Sequence, residues 1–192
     1  PLRAAQFLEA FPRSPDPPTL RPRFDLSALD LLAYVLAGDK NSRLYKRLVY
    51  DLQVAQDVSA FQNSGKLAGC FMVVVTPKPG QSPSRMQQLV NEEIARLMEE
   101  GVTPRELERA RNGYRASFLD RLEGVLGKAD QLNSYQYFAG TPDYVQQDAQ
   151  RYDTVTGADI QNAARSYLGK PRVVLTVVPE GKTDLMVKAG AL

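Results

Sequence analysis

Two residue periods alternate along this chain of 192 residues, and their order restricts the folds open to it. Apolar side chains at every second residue mark a strand with one buried face. Apolar side chains at i, i+3, i+4 and i+7 mark a helix with one buried stripe. Arg3 to Phe11 reads as a first strand, closed by Pro12-Arg13-Ser14-Pro15-Asp16-Pro17-Pro18, a run that fits neither a helix nor a central strand. From Asp25 the period lengthens: Leu29, Leu32, Ala33 and Leu36 share one helical face, and Gly38 can end that helix in the left-handed conformation. Asn41 or Ser42 can cap a second helix carrying Leu44, Tyr45, Leu48 and Val49.

Val54 to Phe61 returns to period two, Asn63-Ser64-Gly65 turns the chain into a strand from Cys70 to Thr76, and Pro77-Lys78-Pro79-Gly80 ends the hairpin. Ser82-Pro83 opens a helix with Met86, Leu89, Val90, Ile94, Leu97 and Met98 inward, closed by Gly101. The strongest start signal follows. Thr103 caps, Pro104 takes the first helical position, Glu106 completes a capping box, and Val102 and Leu107 are placed for a hydrophobic staple. That helix runs through Ala110, Tyr114, Phe118 and Leu122, softens at Gly124 and Gly127, and leads to another ending at Gly140. Thr141-Pro142 and Thr156 each start a helix, the latter with Asp159 in the reciprocal position and Gly169 as its stop. Val173 to Val178 reads as a strand buried on both faces, and Gly181 to Leu192 as a frayed end. This order predicts one α+β domain over residues 1–192, a mainly antiparallel sheet with helices packed on one face.

The chemistry available to such a domain is narrow. The chain contains no histidine, which removes the commonest general base and the commonest zinc ligand together. Cys70, the single cysteine, sits in the run Gly69 to Val75 with no CxxC partner, and reads as a buried core thiol. Neither GxGxxG after a strand nor GxxxxGK[ST] occurs. The acidic pairs Glu92-Glu93 and Glu99-Glu100 are adjacent on a helix, so their side chains point roughly 100° apart, and they read as a solvated face. With 24 Lys and Arg against 22 Asp and Glu, scattered along the chain, no footprint for nucleic acid or an anionic membrane emerges. The longest apolar run, Phe71 to Val75, is far short of the roughly 18 residues a membrane span needs. The opening Pro1-Leu2-Arg3-Ala4 carries no initiator Met or signal-peptide pattern and reads as part of a longer chain.

The stretch from Asn41 to Ala60, NSRLYKRLVYDLQVAQDVSA, closely resembles the C-terminal half-domain of the pitrilysin/insulinase-type zinc metallopeptidases, the mitochondrial processing peptidase among them. Glu99-Glu100-Gly101-Val102-Thr103, Glu106-Leu107, Ala110-Arg111, Tyr152 and Val155-Thr156 are similar in the same order, and the resemblance extends from about Leu29 to Val178. It implies two related α+β halves around a chamber for unfolded peptides, with the zinc motif H-x-x-E-H in the first half. Zinc then belongs to the full-length protein and none to this segment. The partners implied are the zinc-bearing N-terminal half of the same chain and an unfolded peptide substrate, with no nucleic acid and no membrane span.

The family's second half carries an Arg on a helix and a Tyr on the next strand, seven residues later, which hold the substrate backbone as donors to a carbonyl gaining charge. Matched to this sequence, the Arg position is Val49 and the Tyr position is Gln56. Both donors of the pattern are replaced, so the resemblance further implies a homologous subunit carrying the Arg/Tyr pair. Tyr45, Arg47 and Tyr50 read as helix-surface or core-edge residues. By resemblance to bacterial relatives the compartment is the periplasm. The competing reading is a peptidase-like structural or interaction subunit without hydrolytic activity.

Overall fold

The computed structural model describes residues 6–13, 24–64 and 69–187. Its frame is a four-stranded antiparallel sheet in the order β2-β3-β1-β4, formed by β1 Gln6–Arg13, β2 Ala55–Ser64, β3 Gly69–Pro77 and β4 Val173–Val177. The central pair is fixed by register: Glu9 faces Val73 and Phe11 faces Phe71 across β1 and β3, while Leu8 faces Leu175 across β1 and β4. On one side of the sheet Phe11, Val58, Phe71, Val73 and Val75 are buried. There they meet α1 Phe24–Ala37, α2 Pro83–Glu100 and the helical segments around Leu48 and Leu168.

The central helix α1 is more deeply set than its stripe of four residues suggests. Ala28, Leu31 and Val35 are buried as well as Leu29, Leu32, Ala33 and Leu36, because α1 lies between the sheet and an outer layer of helices. That layer comprises α3 Pro104–Arg121, α5 Val145–Thr154 and α6 Gly157–Ala163, with α4 Val125–Ala139 between α3 and α5 in sequence. Gly38 ends α1 without adopting a left-handed φ; it is absent from the positive-φ residues. A Cβ there would lie 2.4 Å from the Tyr34 ring, and one at Gly113 of α3 would lie 2.0 Å from the same side chain. The glycine at the end of α1 is needed for close packing rather than for backbone twist.

Several boundaries move for physical reasons. β1 extends through Pro12 and Arg13, which pair with Cys70 and Gly69. β4 pairs only Gln6 to Ala10, so past Ala10 one side of β1 has no strand neighbour and the missing N–H of Pro12 is tolerated. Residues 14–18 of the predicted turn, like Arg3 of the predicted strand and Gly65 of the hairpin turn, lie outside the described residues. Thr141 does not cap α5; its Oγ1 accepts from the Asp143 N–H in a preceding turn, and the helix begins at Val145. β4 is an edge strand, not one buried on both faces: Val173 is 61% exposed and Leu175 52% exposed. Cys70 is half-buried because it lies near the β2–β3 hairpin end of its strand, beyond the core layer. After β4 a 3-10 turn forms at Thr183–Leu185, and the Val187 N–H donates to Thr176 Oγ1, so residues 181–187 are not a frayed end. Residues 188–192 lie outside the described set.

Both predicted capping boxes form. Thr103 Oγ1 accepts from the Glu106 N–H and Glu106 Oε2 accepts from the Thr103 N–H, and Thr156 and Asp159 repeat the arrangement at α6. Gly140 closes α4 in the left-handed conformation. No helix among the described residues is long and apolar enough to cross a membrane.

Candidate functional site

The resemblance places its functional positions at Val49 and Gln56, and the backbone around them is irregular. The predicted second helix is present but winds as a π-helix over Tyr45–Asp51, one residue wider per hydrogen-bonded turn than an α-helix. Neither Asn41 nor Ser42 caps it through a side chain; the Ser42 hydroxyl turns back to donate to the Asp39 carbonyl. Gln53, in the connection to β2, has φ 52°, a left-handed value uncommon outside glycine. In β2, Ala55 faces Pro77 and Asp57 faces Thr76, which leaves Gln56 as the extra residue of a β-bulge. That bulge breaks the simple alternation expected from Val54 to Phe61, burying Val54, Ala55 and Val58. Wide helical turns, positive φ and bulges all concentrate at functional sites.

Val49 and Gln56 differ in their surroundings. Val49 packs against the hydrophobic core, whereas Gln56 is exposed with its amide free to meet a ligand. Tyr45 also packs on the core edge and Tyr50 is largely in solvent. Arg43 and Arg47, one turn apart, carry the electrostatics. Arg43 forks onto Glu106, with Nε donating to Oε1 at 2.7 Å and Nη2 to Oε2 at 2.9 Å, and Nη2 also reaches the Gly101 carbonyl at 2.8 Å. One guanidinium, just ahead of the π-helix, thus ties this segment to the loop between α2 and α3 and to the first turn of α3. Arg47 donates to Glu92 and Glu93 of α2. Glu93 is therefore no member of a solvated face: it is buried, with Arg47 and Arg96 both on its Oε2.

These contacts set the protonation states. Burial by itself would raise the Glu106 carboxyl, but hydrogen bonds from Arg43 and from Thr103 outweigh it and hold the group at about 2. The same bond raises Arg43, and the Arg47 hydrogen bond lowers Glu92. A second polar cluster lies under α1. Tyr152 donates to Asp30 Oδ2 at 2.7 Å, Gln62 donates to Asp30 Oδ1 at 2.9 Å, and Tyr114 stacks on Tyr152 with ring centroids 3.7 Å apart. Burial raises Asp30 and Tyr152, and pushes Tyr114 up to about 12. In both clusters the carboxylates already accept from arginine, tyrosine, threonine or glutamine donors, and with no histidine and one half-buried thiol these residues do not fit zinc. Sequence patterns located Glu106 through its capping box, but not its tie to Arg43, 63 positions away.

The fold is shared with solved bacterial proteins. A protease from Helicobacter pylori superposes with a TM-score of 0.79 at 17% identity, over 93% of this chain and 42% of that one. The inactive peptidase domain of a candidate zinc protease from Bordetella parapertussis gives 0.74 at 23% identity, over 93% and 95% of the two chains. The peptidase M16 inactive domain from Pseudomonas fluorescens gives 0.76 at 17% identity, over 92% and 40%. The chain thus spans less than half the length of the Helicobacter and Pseudomonas proteins and nearly all of the Bordetella domain. No curated protein matches it. The model of the peptidase M16 inactive domain matches residues 15–114, just over half of the chain and the whole of the irregular stretch from Arg43 to Gln56, and the chain belongs to that family.

Proposed function

We propose that this chain is the non-catalytic C-terminal domain of a zinc-dependent peptidase, one wall of a chamber whose hydrolysis is carried out by a separate H-x-x-E-H half. The observation that carries the reading is the open face of the sheet. Register puts Leu8, Ala10, Met72, Val74, Phe61, Val173 and Leu175 on the side away from the helices. Phe61 is 41% exposed, and Val173 and Leu175 more so. A contiguous apolar surface of this kind marks a contact for another protein or a peptide.

Its companion is the lack of local chemistry. The residues at the positions of the family's donor pair are Val49, which packs inward, and Gln56, which has only an amide to offer a peptide carbonyl. A homologous subunit bearing Arg and Tyr would then complete the hold on substrate, and zinc bound in the other half would supply an activated water. The 192 residues act as one domain. The likeness to the periplasmic protease PqqL from Escherichia coli, with TM-score 0.70 at 17% identity over 92% of this chain and 19% of that one, supports a periplasmic setting.

Pull-down of a separately produced zinc-bearing half tests the wall. Leu175→Asp, on the open face, is expected to abolish capture while leaving the fold intact; undiminished capture by the variant would remove the face from the account.

A further inference from the structure

Among the helices, on the other side of the sheet from its open face, α4 is the least supported. Every other α-helix among the described residues lies closely along at least one further element, whereas α4 does so with none. Its anchor is Tyr135, its one buried residue, which donates to Asp148 Oδ2 at 3.0 Å and meets the Tyr144 ring edge-on. We propose that α4 is the contact between two copies of this chain, paired in parallel about a two-fold axis.

At about 100° per residue, Val125, Leu126, Leu132, Asn133 and Gln136 all lie within about 60° of Ala129 around the helix. This arc carries no charge and every one of its residues is exposed, Val125 by 84% and Leu126 by 74%. Tyr135 and the half-buried Gly127 and Gln131 lie on the opposite side, so the arc points away from the body of the domain. An outward-facing apolar stripe of this kind marks a surface that another protein covers.

The flanking charges select the partner. Lys128 and Asp130 lie about 100° to either side of Ala129, both exposed and neither in an ion pair among the described residues. A two-fold axis running along the helices sets each edge of one copy against the opposite edge of the other. Lys128 then meets the partner's Asp130, only about 3 Å apart in height, and the contact occurs twice. An antiparallel pair would instead bring equal edges together, lysine side to lysine side. A different partner would need a matching stripe and matching charges of its own, whereas a second copy supplies both from this sequence. Two helices of about four turns bury on the order of 1,000 Å² in total along such a stripe, the lower end for a specific interface, so association in the micromolar range is expected. The contact requires neither zinc nor the other half, and it leaves the open sheet face free.

Sedimentation equilibrium of the 192-residue chain at low salt tests the pairing, with Leu175→Asp in every sample to silence the open sheet face. Dimers at micromolar concentration are expected. Ala129→Glu, at the centre of the arc, should abolish them. Lys128→Glu and Asp130→Lys should each weaken association roughly tenfold, since both contacts turn from attraction to repulsion. Mixing these two variants in equal amounts should restore a mixed dimer, and placing both reversals in one chain should restore the self-pair. If Ala129→Glu melts early, the two reversals, which change only exposed side chains, decide the matter. A chain that stays monomeric at several hundred micromolar, even one whose α4 captures the zinc-bearing half instead, would overturn the inference. So would a dimer that a well-folded Ala129→Glu leaves unchanged, or a mixture of the two reversals that associates as weakly as either alone.

Discussion

The two faces of one sheet carry similar residues to different ends. On β3, Phe71, Val73 and Val75 alternate with Met72 and Val74, and only the first three are fully buried under helices. The covered face draws its stability from burial, at about 25 cal/mol for each Å² of apolar surface removed from water. The open face contributes little of that in the isolated chain, yet keeps Phe61, Val173 and Leu175 where polar side chains would satisfy the fold equally well. Folding needs the first face, and association is the account's use for the second.

The largest expected effect is on the covered side. Leu32→Ala in α1, where Leu32 is fully buried, should destabilise the chain by about 3 kcal/mol in denaturant melts, since deletion leaves a cavity among close-packed neighbours. Next comes the tie across the irregular segment. Glu106→Gln should cost about 2 kcal/mol at neutral pH, because it weakens the fork from Arg43 and one capping bond. Since the folded Glu106 sits at about 2, below its ordinary 4.5, its contribution is complete above pH 4.5 and fades as pH falls toward 2. Melts of the variant should therefore lose part of the wild-type acid dependence in that window. Leu175→Ser, on the open face, should change stability by less than about 0.5 kcal/mol while weakening association with the zinc-bearing half. A loss of stability matching that of Leu32→Ala would show that the two faces are not different after all. The smallest effect is expected for Gln56→Ala: the bulge residue is exposed, so melts should not move, and only peptide affinity should fall.

Much of this architecture was legible because it is local. The capping boxes at Thr103 and Thr156 depend on residues three apart, and the stripe of α2 repeats within one helix. What could not be read depends on distant partners. The π-helix shares its i, i+4 apolar spacing with an α-helix over a single turn, so Leu44 and Leu48 do not distinguish them. Val173 to Val178 has the composition of a buried strand, but its place at the sheet edge is fixed by β1, more than 160 residues earlier. Gly38 shows the same limit: its sequence position suggests a twist, and its actual constraint is the ring of Tyr34 pressed against it and Gly113. At the candidate site, the resemblance located Val49 and Gln56, while the inward turn of one and the bulge under the other emerged only from tertiary structure.

The most direct test combines the purified chain, the separately purified zinc-bearing half and an unfolded reporter peptide, with metal content measured on each component. Zinc is expected in the other half alone, with no cleavage by this chain and a rate with both that exceeds either part and falls with Leu175→Asp. Stoichiometric zinc in this chain, or peptide cleavage by it alone, would contradict the assignment.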